Sequence, residues 1–252
     1  MIGVKGRWAF ITGASRGIGY RAALALAERG CDLILHARDE AHLTRVLAAA
    51  KAIGVRAVPV SCELSDTAAV KDMLRRVDSL GVGVDIVLNN AGIQVAYRTE
   101  PLLTPPEDFD ESFRVNTTAP MMITYHFLPG MVKRGFGRIV NTTSGIRHEP
   151  QQAGYSASKA ALDKATMDLA GVYDGSDVII SLTDPGWCRT DLGGPNAPNP
   201  PESALPGAIV GVFVNDGVSG RCFSAQDMSG MTLEEAVEFA EKNVPRYTGT
   251  IG

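Results

Sequence analysis

Short apolar runs alternate along the chain with longer segments of helical periodicity. The apolar runs predict seven strands, at residues 8–12, 32–35, 57–60, 84–88, 138–142, 178–182 and 221–224. The segments between them predict helices at residues 18–29, 42–53, 67–80, 107–133, 155–173 and 233–243. The strand runs are continuously apolar, which is typical of strands buried on both faces. This order predicts an α/β fold, a doubly wound parallel sheet of about seven strands with helices on both faces.

Two proline features interrupt this pattern. Pro120 predicts a kink or a local break in the long helical pattern, because a proline inside a helix removes a backbone hydrogen bond. Residues 185–206 hold six of the 14 prolines, together with Gly193 and Gly194, and therefore predict a long shaped loop. We interpret this loop as a mobile substrate-binding lid. An ordinary surface excursion remains the alternative.

Composition narrows the classes of function. A net charge of −4 argues against a nucleic acid or an anionic membrane as the main partner, since either needs a positive surface. The chain has no apolar run of 18 residues and no signal-peptide pattern, so we expect a soluble cytoplasmic protein without a membrane partner. The four cysteines form no C-x-x-C pair, so we expect reduced packing residues and no metal site. A small-molecule function is favoured.

A glycine-rich turn follows the first predicted strand and opens the first helix. Residues 12–19 read TGASRGIG. In this position Gly13 permits a tight turn, Gly17 lets the backbone approach a pyrophosphate, and Gly19 allows close packing of helix and sheet. The helix N-terminus adds N–H groups and a positive dipole end for phosphate. The candidate cofactor-binding residues of this turn are Gly13, Ser15, Arg16, Gly17, Ile18 and Gly19.

Further motifs follow in order: NNAG at 89–92, Asn116, Ser144 with YSASK at 155–159, and DPGWCRTD at 184–191. With the Gly-x-x-x-Gly-x-Gly spacing of the turn, this set resembles the short-chain dehydrogenase/reductase family over about the first 190 residues. The resemblance implies a Rossmann-type oxidoreductase with a nicotinamide cofactor, in which residues 1–252 form one dinucleotide-binding and catalytic domain. It also implies a homodimer or a homotetramer.

The choice of cofactor depends on charge at the end of the second strand. Ala37 occupies the position of the family's acidic ribose ligand, and Arg38 follows it. Arg16 reaches the same place from the glycine turn, and two guanidinium groups suit a 2′-phosphate. We therefore predict NADPH as the cofactor. The alternative is that Arg38 is a solvated charge and that Asp39 serves NAD.

The resemblance implies further cofactor contacts. The family's aspartate at the adenine amino group is replaced by Glu63, which precedes Leu64 and leaves that contact open. Small residues after the fourth strand approach the ribose, and the segment after the sixth strand brackets the nicotinamide and reaches its carboxamide. These candidates are Asn90, Ala91, Gly92, Pro185, Gly186 and Thr190, with Tyr155 and Lys159 from the helix after the fifth strand.

Tyr155 and Lys159 are four residues apart on a predicted helix, so their side chains share a face. The lysine charge favours the phenolate and is expected to bring the pKa of Tyr155 nearer to the working pH. Tyr155 then gives its proton to a carbonyl oxygen as hydride arrives at carbon. The resemblance implies that Ser144 polarises the carbonyl and that Lys159 holds the nicotinamide ribose. It also implies that Asn116 positions a water near Lys159.

The serine precedes the tyrosine by 11 residues, a shorter gap than is usual in the family. Thr142 or Thr143 is therefore an alternative source of the hydroxyl, although the strand alignment favours Ser144. The shorter loop between serine and tyrosine is expected to alter one wall of the pocket.

Evidence for the substrate is limited to polar residues of the two loops beside the motifs. They favour a polar, hydroxylated or anionic carbonyl compound or a 3-oxoacyl compound, unless they merely face solvent. These residues are Arg147, His148, Gln151, Gln152, Trp187, Arg189 and Asn196. The resulting prediction is an NADPH-dependent reductase of ketones or aldehydes that also oxidises the alcohol.

Other functions and one further element remain open. A non-catalytic nucleotide-sensing module, an NAD-dependent alcohol dehydrogenase and an epimerase or dehydratase on the same fold are the alternatives. A helix at about 232–243, opened by a Thr cap, is predicted to cover the active site or a neighbouring subunit.

Overall fold

A computed structural model describes residues 1–247. Its centre is a seven-stranded, wholly parallel sheet with the strand order β3-β2-β1-β4-β5-β6-β7. The strands are β1 (Trp8–Ile11), β2 (Asp32–Ala37), β3 (Ala57–Ser61), β4 (Val84–Asn89), β5 (Gly137–Thr142), β6 (Val178–Asp184) and β7 (Cys222–Ser224). The predicted fold class and strand count are confirmed.

Helices cover both faces of the sheet. They are α1 (Gly17–Glu28), α2 (Thr44–Ile53), α3 (Thr67–Asp78), α4 (Pro106–Phe113), α5 (Ala119–Arg134), α6 (Ala153–Val172), α7 (Gly207–Phe213) and α8 (Leu233–Asn243). One apolar core joins the sheet to α1, α2, α7 and α8. A second core joins the opposite face to α3, α5 and α6. Within residues 1–247, no helix combines the length and the apolar character needed to cross a bilayer.

The structure adds one helix that the sequence pattern does not predict. Helix α7 has seven residues, and all of them are buried. A helix that is buried on every side carries no amphipathic stripe, so periodicity does not reveal it. It packs against β5 and β6 beneath the sheet, where Gly211 meets the side chains of Ser181, Val140 and Phe223.

The long helix predicted at 107–133 is present as continuous helical backbone at residues 106–134 with one change of hydrogen-bonding pattern. It is divided into α4, a π-helical turn at Arg114–Thr118, and α5. The π turn precedes Pro120, whose missing N–H cannot bond to the preceding turn of this continuous helical backbone. Pro129 is the proline inside α5. The predicted break is therefore present, but it is a π turn that begins before Pro120.

The loop at residues 185–206 is held together by its own hydrogen bonds. Arg189 Nη1 donates to Ala197 O at 2.9 Å, and Trp187 Nε1 donates to Gly193 O at 2.7 Å. A Cβ at Gly193 would lie 2.1 Å from Cys188 O, so close packing requires this glycine. The predicted long loop also contains a short 3₁₀ helix at Pro201–Ala204. Mobility of this loop stays a prediction.

The C-terminal part of the described chain extends beyond α8. Thr232 begins α8 with a capping box, in which its hydroxyl accepts from Glu235 N and Glu235 Oε2 accepts from Thr232 N. Arg246 then pairs antiparallel with Arg221 beside β7. The predicted helix is thus present, and it packs against α7. The four cysteines are free, as expected, and burial raises the pKa of Cys31 and Cys222 to about 12.

Candidate active site

The carboxyl ends of β1, β4, β5 and β6 meet at one edge of the sheet, where the sequence motifs follow them. In open α/β sheets this edge is the usual place of a ligand crevice. The glycine turn follows β1, the NNAG segment begins at the end of β4, Ser144 follows β5, and Pro185 follows β6. The topology therefore gathers motifs that are separated along the chain into one candidate site.

The three glycines of the turn leave little or no room for a Cβ atom. Gly13 has a φ of +67°, and a Cβ there would lie 3.0 Å from Ala91 Cα. Gly17 has a φ of +57°, and its Cβ would lie 3.3 Å from Thr190 Cγ2. A Cβ at Gly19 would lie 2.3 Å from Gly13 O. The predicted roles in the tight turn and in close packing therefore have a steric basis here.

Thr12 and Asn90 join this turn to the end of β4. Thr12 Oγ1 accepts from the backbone N–H groups of Asn90 and Ala91, each at 3.0 Å. Asn90 Nδ2 in turn donates to Thr12 O at 3.0 Å. Asn90 and Ala91 therefore act on the shape of the turn, and Asn90 does so through its side chain.

Arg16 lies in the turn, and Arg38 follows the end of β2, where His36 O accepts from Ala14 N of the turn at 3.0 Å. Arg16 Nε is 3.1 Å from Asp191 Oδ2, and both side chains are mostly exposed. Such an exposed pair contributes little free energy, so it leaves the guanidinium available to a stronger anion. Arg38 is exposed after the buried Ala37. Asp39 is occupied, because its carboxylate accepts from Ala41 N at 2.9 Å and caps the 3₁₀ helix at Glu40–Leu43.

The two residues at the predicted adenine position, Glu63 and Leu64, differ in exposure. Leu64 is buried in the core beside α3, whereas Glu63 is exposed and its carboxylate accepts from Ser65 N at 3.2 Å. His36 and Cys62 lie beneath this segment, and burial lowers the pKa of His36 to about 4. The imidazole is therefore neutral at physiological pH.

The segment after β6 is fixed by a residue that the sequence analysis did not single out. Gln226 Nε2 donates to Pro185 O at 2.7 Å, and its Cγ lies 2.6 Å from where a Cβ of Gly186 would be. The hydroxyl of Thr190 accepts from Gly193 N at 3.1 Å. Pro185 and Gly186 therefore have a rigid support, and Thr190 stabilises the loop as well as touching Gly17. No sequence signal distinguishes Gln226, because it acts through a contact between distant segments.

Among the candidate hydroxyl groups, that of Ser144 affects the pKa of Tyr155. Its hydrogen-bonding influence lowers the pKa of the buried phenol, while burial has the larger effect and raises that pKa. Thr143 instead faces α6, where its hydroxyl lowers the pKa of Asp163. Thr142 supplies its backbone carbonyl to Lys159. The Ser144 hydroxyl acts on Tyr155 whereas the Thr143 hydroxyl acts on Asp163, which favours Ser144 over Thr143 as the candidate.

Lys159 is buried beside Tyr155. Its Nζ donates to Thr142 O at 2.7 Å and lies 5.9 Å from the centre of the Tyr155 ring. Burial lowers the pKa of Lys159 to about 8. The expected lowering of the Tyr155 pKa by this lysine is wrong for the protein alone: burial, with a further contribution from the charge of Asp184, raises it. The spacing of the two residues on the helix contains no information about their desolvation.

Asn116 lies in the π turn and connects three segments. Its Oδ1 accepts from Ile93 N at 2.9 Å, and its Nδ2 donates to Ile93 O at 2.9 Å and to Ser158 Oγ at 3.0 Å. A Cβ at Gly92 would lie 3.2 Å from Asn116 Oδ1 and 3.5 Å from Lys159 Nζ. Single π turns are frequent at functional sites. The structure therefore brings Asn116, Gly92 and Lys159 together.

Two acidic residues lie near the tetrad of Asn116, Ser144, Tyr155 and Lys159 and received no role from the sequence. Asp163 is one turn beyond Lys159 on α6, and burial raises its pKa to about 6. Asp184 ends β6, and its charge raises the pKa values of Tyr155 and Lys159. Asp184 belongs to the DPGWCRTD motif, and Asp163 follows Lys159 by four residues. The sequence therefore contained a signal that could have placed each of these carboxylates near the site.

Several polar residues predicted to contact substrate are used for structure. Gln152 is buried and donates to Val95 O at 3.2 Å. Arg189 and Trp187 stabilise the loop at residues 185–206, as described above. Arg147, His148 and Asn196 are exposed. This loop chemistry therefore gives little support for an anion-binding site.

Fold and site together define a Rossmann-like α/β protein with a dinucleotide-type glycine turn. The family model described as short chain dehydrogenase matches residues 7–200, and the chain belongs to that family of oxidoreductases, which use nicotinamide dinucleotides and act on alcohol or carbonyl groups.

The chain is also similar to curated dehydrogenases and to a solved reductase structure. A short chain dehydrogenase of Pseudocercospora fijiensis is 33% identical over 198 residues, which are 77% of this chain but only 63% of that protein. A D-beta-hydroxybutyrate dehydrogenase of Cupriavidus necator is 32% identical over 191 residues, covering 75% of this chain and 73% of that protein. The crystal structure of a 3-oxoacyl (acyl-carrier-protein) reductase from Agrobacterium tumefaciens C58 with NADP bound aligns with a TM-score of 0.73 at 28% identity, covering 94% of this chain and 91% of that one.

Proposed function

We propose that the protein is an NADPH-dependent reductase of ketones or aldehydes, with Tyr155 as the acid. The observation that carries this proposal is the placement of Ser144, Tyr155 and Lys159 in mutual reach at the carboxyl edge of the sheet. The glycine turn opens at the same edge, which puts an acid group and a phosphate cradle in one crevice.

The residues at this edge fit a nicotinamide dinucleotide. The positive φ angles of Gly13 and Gly17 and the absence of a Cβ leave the backbone N–H groups at the start of α1 open to a diphosphate. In this proposal Ser15, Arg16 and Ile18 complete the phosphate contacts, and Ala91, Gly92, Pro185 and Gly186 lie along the nicotinamide half. The bound dinucleotide supplies the hydride.

The side chains divide the proton chemistry between them. The Ser144 hydroxyl donates to the carbonyl oxygen, and Tyr155 transfers its phenolic proton to that oxygen. Because burial raises the pKa of Tyr155, the phenol stays protonated at neutral pH, which is the form that reduction requires. Lys159, close to its titration at neutral pH, stabilises the resulting phenolate, and Asn116 orients the chain beside it.

The preference for NADPH has three supports. Ala37 offers no acceptor for a ribose hydroxyl, Asp39 is already bound to Ala41 N, and Arg16 and Arg38 are exposed at the turn. The NADP-bound 3-oxoacyl reductase is consistent with this preference.

Single replacements of the two arginines test the preference. Removal of one charge-assisted contact to the phosphate is expected to raise the Kd for NADPH about 10-fold in Arg16→Ala or Arg38→Ala and to leave the Kd for NADH unchanged. Arg75→Ala is the matched control, since Arg75 is exposed on α3 and paired with Asp72. Fluorescence titration measures each Kd. Tighter binding of NADH than of NADPH by the unaltered protein contradicts the assignment.

The alternatives are separated by turnover. A carbonyl panel that includes 3-oxoacyl thioesters, followed by loss of nicotinamide absorbance, identifies a reductase. Binding of NADPH without turnover of any carbonyl or alcohol supports the nucleotide-sensing alternative. Preferential alcohol oxidation with NAD supports the dehydrogenase alternative.

A further inference from the structure

Asp184 faces the catalytic helix. It is the last residue of β6 and pairs with Ser224 of β7. The preceding Thr183 points to the opposite side of the sheet, where its hydroxyl contacts Gly207 O and Phe223 O, each at 3.4 Å. Because side chains alternate along a strand, the Asp184 carboxylate lies on the side of α6, the helix that carries Tyr155 and Lys159.

The backbone fixes one oxygen of this carboxylate and leaves the other open. Asp184 Oδ1 accepts from Gly186 N at 2.9 Å. Oδ2 lies 2.7 Å from the position that a Cβ of Gly145 would occupy, and within residues 1–247 it has no hydrogen-bond donor. Gly145 is exposed and directly follows Ser144. Oδ2 therefore lies beside Gly145, the residue that follows Ser144, which polarises the carbonyl in the proposed function.

Within residues 1–247 Asp184 forms no salt bridge, and the exposed Arg147 lies in the same region, where its charge acts on Tyr247. The titratable groups affected by Asp184 are Tyr155, Lys159, Asp163, Cys188 and Cys222. Lys159 is the cation among them, and its Nζ is bound to Thr142 O. The nearby Arg189 is directed to Ala197 O and Pro198 O. An incoming group next to the reacting carbonyl therefore meets a free carboxylate oxygen.

We propose that Asp184 is a specificity-determining residue, which favours ketones and aldehydes with a hydroxyl or amino group beside the carbonyl and disfavours those with a carboxylate there. The inference rests on the proposed function. A carboxylate accepts hydrogen bonds and donates none, so a donor on the substrate gains a charge-assisted bond. A substrate carboxylate meets a like charge in a partly desolvated crevice. The site thus differs from one suited to a small keto acid.

Three small methyl ketones that differ in the group on the other side of the carbonyl test this inference. Hydroxyacetone has the donor, methoxyacetone lacks it with similar electronic character, and pyruvate has the carboxylate. The expected kcat/KM of the unaltered protein is about 10-fold or more higher for hydroxyacetone than for methoxyacetone, and lowest for pyruvate. These values are measured with saturating NADPH and again with saturating NADH.

Asp184→Asn is the informative variant because the amide keeps an acceptor for Gly186 N. It is expected to lower the hydroxyacetone preference about 10-fold and to raise the relative kcat/KM for pyruvate by a similar factor. Asp168→Asn, an exposed position on the same helix as Tyr155, is the control and keeps the original ratios. Unchanged ratios in Asp184→Asn overturn the proposal, as does reduction of other carbonyl compounds but not of hydroxyacetone.

A readout without turnover separates this inference from the proposed function. Titration of tyrosinate absorbance, with Tyr155→Phe to identify the signal, reports the pKa of Tyr155. Asp184→Asn is expected to lower that pKa, because the charge that raises it is removed. An unchanged titration contradicts the placement of Asp184 beside the phenol. A shifted titration together with no turnover of any carbonyl overturns the proposed function and leaves the placement of Asp184 standing.

Discussion

At the scale of single residues, burial decides the behaviour of the site more than spacing does. Tyr155, Lys159 and Asp163 follow one another at four-residue intervals on α6, and the sheet desolvates all three. Desolvation disfavours each charged form, so the pKa values of Tyr155 and Asp163 rise and that of Lys159 falls. Sequence spacing predicts the shared helix face, but the depth of burial depends on the strands beneath it.

Asp163→Asn tests this desolvation through stability. The pKa of Asp163 is about 6 in the folded protein and 3.8 when unperturbed. Between these values the folded state binds the extra proton, so the free energy of unfolding falls as pH rises from about 4 to about 6. We expect Asp163→Asn to be about 2 kcal/mol more stable than the unaltered protein at neutral pH. This is less than the full free-energy equivalent of the pKa difference, because solvent screens a carboxylate that is only partly buried.

Urea unfolding across this pH range measures the difference. The advantage of Asp163→Asn is expected to vanish below the unperturbed pKa, where both proteins are uncharged at this position. Asp168→Asn, on the solvent side of α6, is expected to show no such pH dependence. A variant that is less stable than the unaltered protein at neutral pH is inconsistent with a desolvated Asp163.

At the scale of elements, the sequence predicts strands and helices that have a regular apolar pattern, but not features that depend on contacts between distant segments. The apolar runs predict all seven strands, since strands buried on both faces need such runs. Helix α7 lacks a polar face, so periodicity does not reveal it. Pro120 predicts a break in the long helix but not that the break is a π turn at Arg114–Thr118. The ordered motifs predict the glycine turn and the tetrad, whereas the support from Gln226 depends on contact between distant segments.

The junction of α1 with the end of β4 gives an element-scale prediction. A methyl group at Gly19 would lie 2.3 Å from Gly13 O and 2.4 Å from Asn90 Nδ2, so Gly19→Ala must displace α1 from the turn. We expect a loss of about 1–3 kcal/mol in the free energy of unfolding, with weakened NADPH binding. Urea unfolding and fluorescence titration measure the two effects.

Gly171→Ala is the matched control for this junction. Gly171 also lies in a helix, α6, but a Cβ there has nothing within 4 Å. Alanine is expected to stabilise the protein by up to about 1 kcal/mol at this position, because it has the higher helix propensity. Equal effects of the two substitutions would argue against close packing at Gly19.

At the scale of the whole molecule, one sheet edge brings together segments that are far apart in the sequence. The turn after β1, the end of β4, the π turn, the start of α6 and the loop after β6 all converge there. Two apolar cores, one on each face of the sheet, hold this edge in place. The fold thereby brings Tyr155, Lys159 and the glycine turn to one edge of the sheet.

In the proposed mechanism Tyr155 supplies the proton to a carbonyl, and most of the nucleotide-binding energy comes from the glycine turn and the other cofactor contacts. Tyr155→Phe removes one hydroxyl, and Tyr125→Phe, at an exposed tyrosine on α5, is its control. The most direct measurement compares both variants with the unaltered protein in carbonyl-dependent NADPH oxidation at equal nucleotide saturation. We predict that Tyr155→Phe binds NADPH normally but loses about 100-fold or more of kcat, whereas Tyr125→Phe is unaffected. Turnover by Tyr155→Phe at the unaltered rate would contradict the account.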